Sequence, residues 1–211
     1  MIKFSRKPLL LAGMTLFATH AGFAADEKKD EELPELMTGA DATMLANTCA
    51  GCHGPDGASG GPATPTIAGL STEYFVEVMN GFASGDVPST IMSRIAKGYT
   101  EEEFEMMADV FGKLPFVNAP DQAFDEKLAK SGAKLHDKYC EKCHAEGGTS
   151  AEDDSGILAG QWTPYMSATL KDYNDDSREA TKKMKKKLKK LLEKEGDEGI
   201  TALLNYYASQ K

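Results

Sequence analysis

Cys49-Ala50-Gly51-Cys52-His53 and Cys140-Glu141-Lys142-Cys143-His144 hold all four cysteines of this 211-residue chain, and each pair ends on a histidine. Residues three apart on a helix share a face and the fourth lies beside them, so each motif aims two thiols and one imidazole into one patch. A covalently held haem c needs that set: two thiols to add to the porphyrin vinyl groups, and an imidazole to reach the iron. A four-cysteine zinc site and two redox disulfides compete for such pairs. A zinc ribbon keeps its pairs roughly 15–20 residues apart, whereas these are separated by nearly half the chain. Neither competitor explains the two histidines. The expectation is two covalently bound haem c groups, attached through Cys49, Cys52, Cys140 and Cys143, with His53 and His144 as proximal iron ligands.

The motifs superpose at an offset of 91 residues, and other features recur at that offset. Ile67-Ala68-Gly69 falls on Leu158-Ala159-Gly160, Tyr74 on Tyr165, and Met92 within one residue of Met184. The chain therefore reads as two copies of one unit, joined near the turn-rich Asn118-Ala119-Pro120-Asp121. Apolar residues recur at three- and four-residue intervals in Phe104–Phe111, Leu128–Tyr139 and Met184–Leu192, and no segment alternates as a strand would. Asp41 and Asp121 are candidate N-caps for the helices leading into the motifs, with Ser89 or Thr100 for later ones. The fold class expected is all-α, with long loops wrapping a cofactor in each unit.

The second axial ligand narrows by elimination. Of four histidines, His20 falls in the leader described below, His53 and His144 are committed, and His136 alone is spare. Two bis-histidine irons cannot come from this chain, and no cysteine is left over. Methionine thioether is the remaining common partner, and it raises the reduction potential. Only Met92 and Met184 pair across the repeat; Met79 falls opposite Leu170 and Met166 opposite Phe75. Met92 is assigned to the first iron and Met184 to the second, although core packing is the usual fate of a methionine on an apolar stripe. A proximal histidine normally donates its other ring nitrogen to a carbonyl. The Pro62–Pro65 loop can supply that acceptor in the first unit; Gly156 stands where Pro65 does in the second. Tyr74, Tyr165 and Trp162 are expected as pocket walls.

Lys3, Arg6 and Lys7, the apolar run Leu9–Phe17 and the small residues Gly22-Phe23-Ala24 read as a cleavable signal peptide over residues 1–24. The apolar run is well short of the roughly 20 residues needed to span a bilayer. Removing the leader's three cations leaves 21 basic against 33 acidic residues, a formal balance of −12. That charge argues against nucleic acid and against anionic lipid as partners. Residues 25–36 form an acidic flexible segment, residues 37–119 a first unit and residues 120–211 a second. Units this small are marginal on apolar burial alone, and a large buried cofactor in each eases the shortage. Against the acidic average, Thr181–Lys194 carries eight lysines around Met184, Leu188, Leu191 and Leu192. This is either a solvated helix face or a local positive field that steers an acidic partner.

Ser89-Thr90-Ile91-Met92 with Arg94–Tyr99, and still more Gly132–His144, Ile157–Tyr165 and Tyr207-Ala208-Ser209-Gln210, resemble the cytochrome subunit of flavocytochrome c sulfide dehydrogenase, a diheme cytochrome c family. The likeness covers nearly all of the chain after the leader. It departs in the acidic N-terminal segment and near Thr149–Ser155. It implies two tandem cytochrome c-like domains related by a pseudo-two-fold axis, and a periplasmic heterodimer with a flavoprotein that oxidises sulfide. It also implies electrons passed singly to a soluble acceptor such as a small cytochrome, with no catalytic residue in this chain. The family's methionine ligands fall on Met92 and Met184. A free periplasmic diheme cytochrome c feeding a terminal oxidase needs the same haem residues, and only the resemblance favours the sulfide reading. A haem peroxidase would need one iron left open, which two methionine ligands do not leave.

Overall fold

The computed structural model describes residues 39–150 and 155–211, and among these it is helical with no strand. The expected leader (1–24) and acidic segment (25–36) lie outside the described residues. Eight α-helices run in order: α1 Ala42–Asn47, α2 Ala50–His53, α3 Thr72–Ser84, α4 Met92–Ile95, α5 Glu101–Phe111, α6 Glu126–Tyr139, α7 Thr163–Asn174 and α8 Lys182–Ser209. The chain from residue 39 onward belongs to one compact unit with two separate apolar cores.

Local chemistry sets the helix ends. Asp41 Oδ1 accepts the Met44 amide at 2.8 Å to start α1. Ser71 caps α3, which stops at the left-handed Gly85. Thr100 and Glu103 close a reciprocal capping box on α5, satisfying two amides that would otherwise lack acceptors. Two expected caps differ. Ser89 Oγ accepts the Ser93 amide at 2.8 Å, but Ile91 occupies the N-cap of α4. Asp121 does not cap α6: it turns the linker at φ 53°, and Asp125, four residues on, accepts the Leu128 amide at 2.8 Å. Two aspartates bracket that turn, and only the later one immediately precedes the helical run.

In the first core, α5 turns Phe104, Met107, Ala108 and Phe111 inward, the one-face spacing of an amphipathic helix. Leu45 of α1 and Phe75 of α3 join them, with the Phe75 and Phe111 rings 5.7 Å apart. Each such side chain contributes about 1.5–3 kcal/mol by leaving water. In the second core, α6 packs on α8 through Tyr139, Leu191, Leu203 and Tyr207. The backbones of this pair close in at Gly132, where a Cβ would collide with the Ala202 carbonyl. Gly196 (φ 61°, ψ −159°) breaks α8 into a lysine-rich first part, which gives Leu191 to this core, and a C-terminal part, which gives it Leu203 and Tyr207.

The repeat is visible in the backbone. Gly57 O accepts the amides of Ile67 and Ala68, and Gly148 O, 91 residues on, accepts those of Leu158 and Ala159. Gly69 and Gly160 sit at φ 73° and 74°, a left-handed conformation that glycine adopts without penalty. Their amides are held at 2.9 Å by Phe111 O and Tyr207 O, near the ends of α5 and α8. A helix end thus clasps the loop after each cysteine motif.

Candidate haem sites

In the first unit α1 hands directly to the motif. The amides of Cys52 and His53 bond to Cys49 O at 3.2 and 2.9 Å, so Cys49, Cys52 and His53 share one helical turn. Thr48 Oγ1 donates to Leu45 O, and it meets the Tyr99 hydroxyl at 2.8 Å. His53 is 8% exposed, and its Nδ1 lies 2.9 Å from Pro65 O. A carbonyl only accepts, so Nδ1 carries the proton and Nε2 keeps a free lone pair. Burial holds the His53 imidazole below its ordinary value, partly opposed by the Pro65 bond. The neutral ring is the form that ligates a metal.

The second motif departs from the helical expectation. Cys140 ends α6, and residues 141–144 form a turn instead of a separate helix. Even so, the amides of Cys143 and His144 both bond to Cys140 O at 3.0 Å, which reproduces the first arrangement. His144 Nδ1 reaches Gly156 O at 3.3 Å across the same twelve-residue separation as His53 to Pro65. Burial again holds this imidazole below its ordinary value. Loss of the proline at 156 does not remove the acceptor, because a carbonyl is present whatever the side chain.

His136 is committed elsewhere. It is fully buried, with Nδ1 2.9 Å from the Tyr207 hydroxyl and Nε2 2.6 Å from Glu141 Oε2. Glu141 also accepts the amides of Glu146 and Gly147 at 3.1 Å, and the His136 bond is the first reason its carboxyl is held low. These bonds tie the second motif to both helices of its core. Nothing in the spacing of His136, Glu141 and Tyr207 announces the network, since Tyr207 arrives from the far end of the chain.

The four thiols are free of disulfides, Cys49 and Cys140 half-buried and Cys52 and Cys143 exposed. Burial is the leading cause that raises the Cys49 and Cys140 thiols. Cys49 and Met92 both pack on the first core. Cys140 packs on the second, whereas Met184, half-buried in the first turn of α8, is not among the side chains packed there. Met184 receives its position from Thr181, whose hydroxyl accepts its amide at 3.2 Å.

The halves meet in a seam that the repeat does not predict. Gln161, 3% exposed, accepts the Thr66 amide through Oε1 and donates to Thr66 O through Nε2, both at 2.9 Å. Trp162 donates from Nε1 to Ser59 O at 3.1 Å, its ring closed against Gly61. The linker joins in, with the Ala119 amide 2.7 Å from Gly160 O. Trp162 thereby bridges the two units.

No family model matches the chain. The cytochrome subunit of sulfide dehydrogenase from Chlorobaculum tepidum is 39% identical over 110 residues, which is 52% of this chain and 99% of that protein. The chain belongs to this cytochrome family. A thiosulfate dehydrogenase electron acceptor from Thiomonas intermedia is 30% identical, over 63% of this chain and 65% of its own. The crystal structure of reduced recombinant cytochrome c4 from Pseudomonas stutzeri matches with a TM-score of 0.67 at 23% identity, covering 82% of this chain and all of that one.

The fold is that of two tandem cytochrome c domains, and the chain is an electron-transferring diheme c-type cytochrome with two covalently bound haem c groups. The residues present fit those groups. Each unit offers two free thiols on one turn and an imidazole, buried at His53 and half-buried at His144, whose Nδ1 is already engaged. No helix among the described residues is long and apolar enough to cross a membrane.

Proposed function

We propose that this cytochrome is the electron-transfer subunit of a sulfide-oxidising flavocytochrome c. In this reading it accepts electrons from a flavin-containing partner, in a heterodimer, and passes them to a soluble acceptor. The observation that carries the reading is the 39% identity to a sulfide dehydrogenase cytochrome subunit along almost its whole length. The chain acts in the periplasm after loss of residues 1–24, with domains at 37–119 and 120–211.

Cys49 and Cys52 hold one haem c, and Cys140 and Cys143 the other. His53 with Met92 would ligate one iron, and His144 with Met184 the other. The bound groups supply one-electron redox chemistry. The chain's residues supply the rest: Pro65 O and Gly156 O fix the imidazole tautomer and ring orientation. The His136, Glu141 and Tyr207 bonds keep the second attachment turn from shifting. With Met92 and Met184 as the second ligands, neither iron would be left open to bind a substrate, which fits a subunit that only transfers electrons.

The alternative, a free diheme cytochrome serving a terminal oxidase, draws support from the cytochrome c4 likeness over the full length of that chain. Purification of the native protein separates the two. Co-purification of a flavin-containing subunit, with haem reduction on adding sulfide, is the expected outcome. Isolation without flavin and no reduction by sulfide, even after the partner is supplied, refutes the sulfide reading.

A further inference from the structure

Arg178 is a buried cation that the proposed ligand sets do not use. It lies between α7 and α8 and is 5% exposed. Among the described residues no carboxylate stands within 4.0 Å of its guanidinium. Phenols surround it instead. Its guanidinium carbon is 5.1 Å from the centroid of the Tyr173 ring, and Tyr165 and Tyr74 complete its electrostatic surroundings. Tyr74 comes from α3 in the first unit, and its hydroxyl stands 2.9 Å from where a Cβ on Gly156 would lie. Gly156 is the residue whose carbonyl holds His144. The cation therefore occupies the seam, one side chain removed from the loop that orients a proposed iron ligand.

A guanidinium withdrawn from water without a counter-charge is strongly disfavoured, and native proteins pair such groups. Burial pushes the Tyr74 and Tyr173 hydroxyls up, so these phenols are neutral and supply no anion. Glu77 lies in electrostatic range of both, yet it is exposed and makes no ion pair with Arg178. A planar fork of donors beside neutral hydroxyls is the arrangement that receives a carboxylate in two-point fashion.

We propose that Arg178, with Tyr74 and Tyr165 beside it, binds a propionate carboxylate of a haem c group at the seam between the two units. The inference rests on the haem assignment of the preceding section. It makes Arg178 a binding residue that also tunes the redox equilibrium. A cation that neutralises a carboxylate near an iron favours the state with the added electron, so its loss lowers the reduction potential.

The test uses the full chain matured with its haem-attachment machinery, as wild type, Arg178→Gln and Arg178→Lys. Intact mass gives the number of haems attached, spectroelectrochemical titration gives each potential, and redox-induced infrared difference spectra give the carboxylate bands. The expected result is two haems in every protein. In Arg178→Gln the reduction equilibrium of one haem shifts at least tenfold toward the oxidised form, about 59 mV for one electron, and the other moves less. Arg178→Lys falls between, and both variants shift a carboxylate band. Two haems attached with potentials and carboxylate bands matching wild type overturn the proposal. Should Arg178→Gln not accumulate, unchanged bands in Arg178→Lys overturn it equally. A wild-type mass equal to bare protein is a different failure, that of the haem assignment itself.

Discussion

Replacing Gln161 by leucine removes both bonds to Thr66 and the bond from the Trp162 amide to Gln161 Oε1 while nearly conserving side-chain volume. Thr66 is 1% exposed, so its amide and carbonyl cannot turn to water and are left unsatisfied. Each orphaned buried group costs about 1–3 kcal/mol, and the added apolar contact of leucine returns about 1–2 kcal/mol. The net expectation is a loss of about 2–4 kcal/mol, confined to the seam. Equilibrium denaturation in guanidinium measures it, with circular dichroism and haem absorbance as parallel probes. The two probes coincide in wild type and separate in the variant, because the halves no longer unfold together. Gln161→Glu provides an internal control: its carboxylate faces Thr66 O without a donor at neutral pH, and protonation restores one. Its deficit against wild type therefore narrows as the solution is acidified. A deficit under about 1 kcal/mol for Gln161→Leu, with coincident probes, would refute the view that this amide joins the halves; the expected cost again rests on the penalty for unpaired buried groups.

Gly132→Ala places a methyl group against the Ala202 carbonyl, a backbone atom that cannot rotate away. Overpacking of this kind costs about 1–3 kcal/mol, and the same denaturation assay reads it; an unchanged midpoint would mean that α6 and α8 cross less closely. Asp175 accepts from Lys171 Nζ at 2.7 Å and from the Ser177 hydroxyl and amide, which together hold its carboxyl down at about 2. A carboxyl lowered on folding contributes stability above its unfolded value of about 3.9, and that contribution fades as pH falls toward about 2. Asp175→Asn is therefore less stable than wild type at neutral pH and equal to it near pH 2, checked by denaturation midpoints across that range. A difference that persists undiminished at the acid end would contradict the assignment.

Much of the fold was legible because its determinants are local. Cys-x-x-Cys-His, the spacing of Phe104, Met107 and Phe111, and the caps at Asp41 and Thr100 all lie within a turn or two of what they control, and the 91-residue offset only sets two such local patterns side by side. The linker misled at Asp121, where two aspartates four residues apart carry the same local signal and only the geometry of the turn selects Asp125. What stayed hidden was made by partners distant in sequence. Gln161 meets Thr66 across 95 residues, and His136 meets Tyr207 across 71. Arg178 reads as one more surface cation until the fold buries it among tyrosines from both units. The repeat also concealed the seam, because its offset aligns what the copies share, and the seam is built from what they do not.

The two copies differ at the residues that join them. At the 91-residue offset Leu70 occupies the place of Gln161, Ile157 that of Thr66, and Ser71, which caps α3, that of Trp162. Trp162 makes no side-chain cap for α7 and reaches instead to Ser59. The copies have thus become a left hand and a right hand. Recombination that exchanged their order, or doubled the first copy, would set Leu70 where the Gln161 amide now bonds both peptide groups of Thr66, and the halves would lose that join.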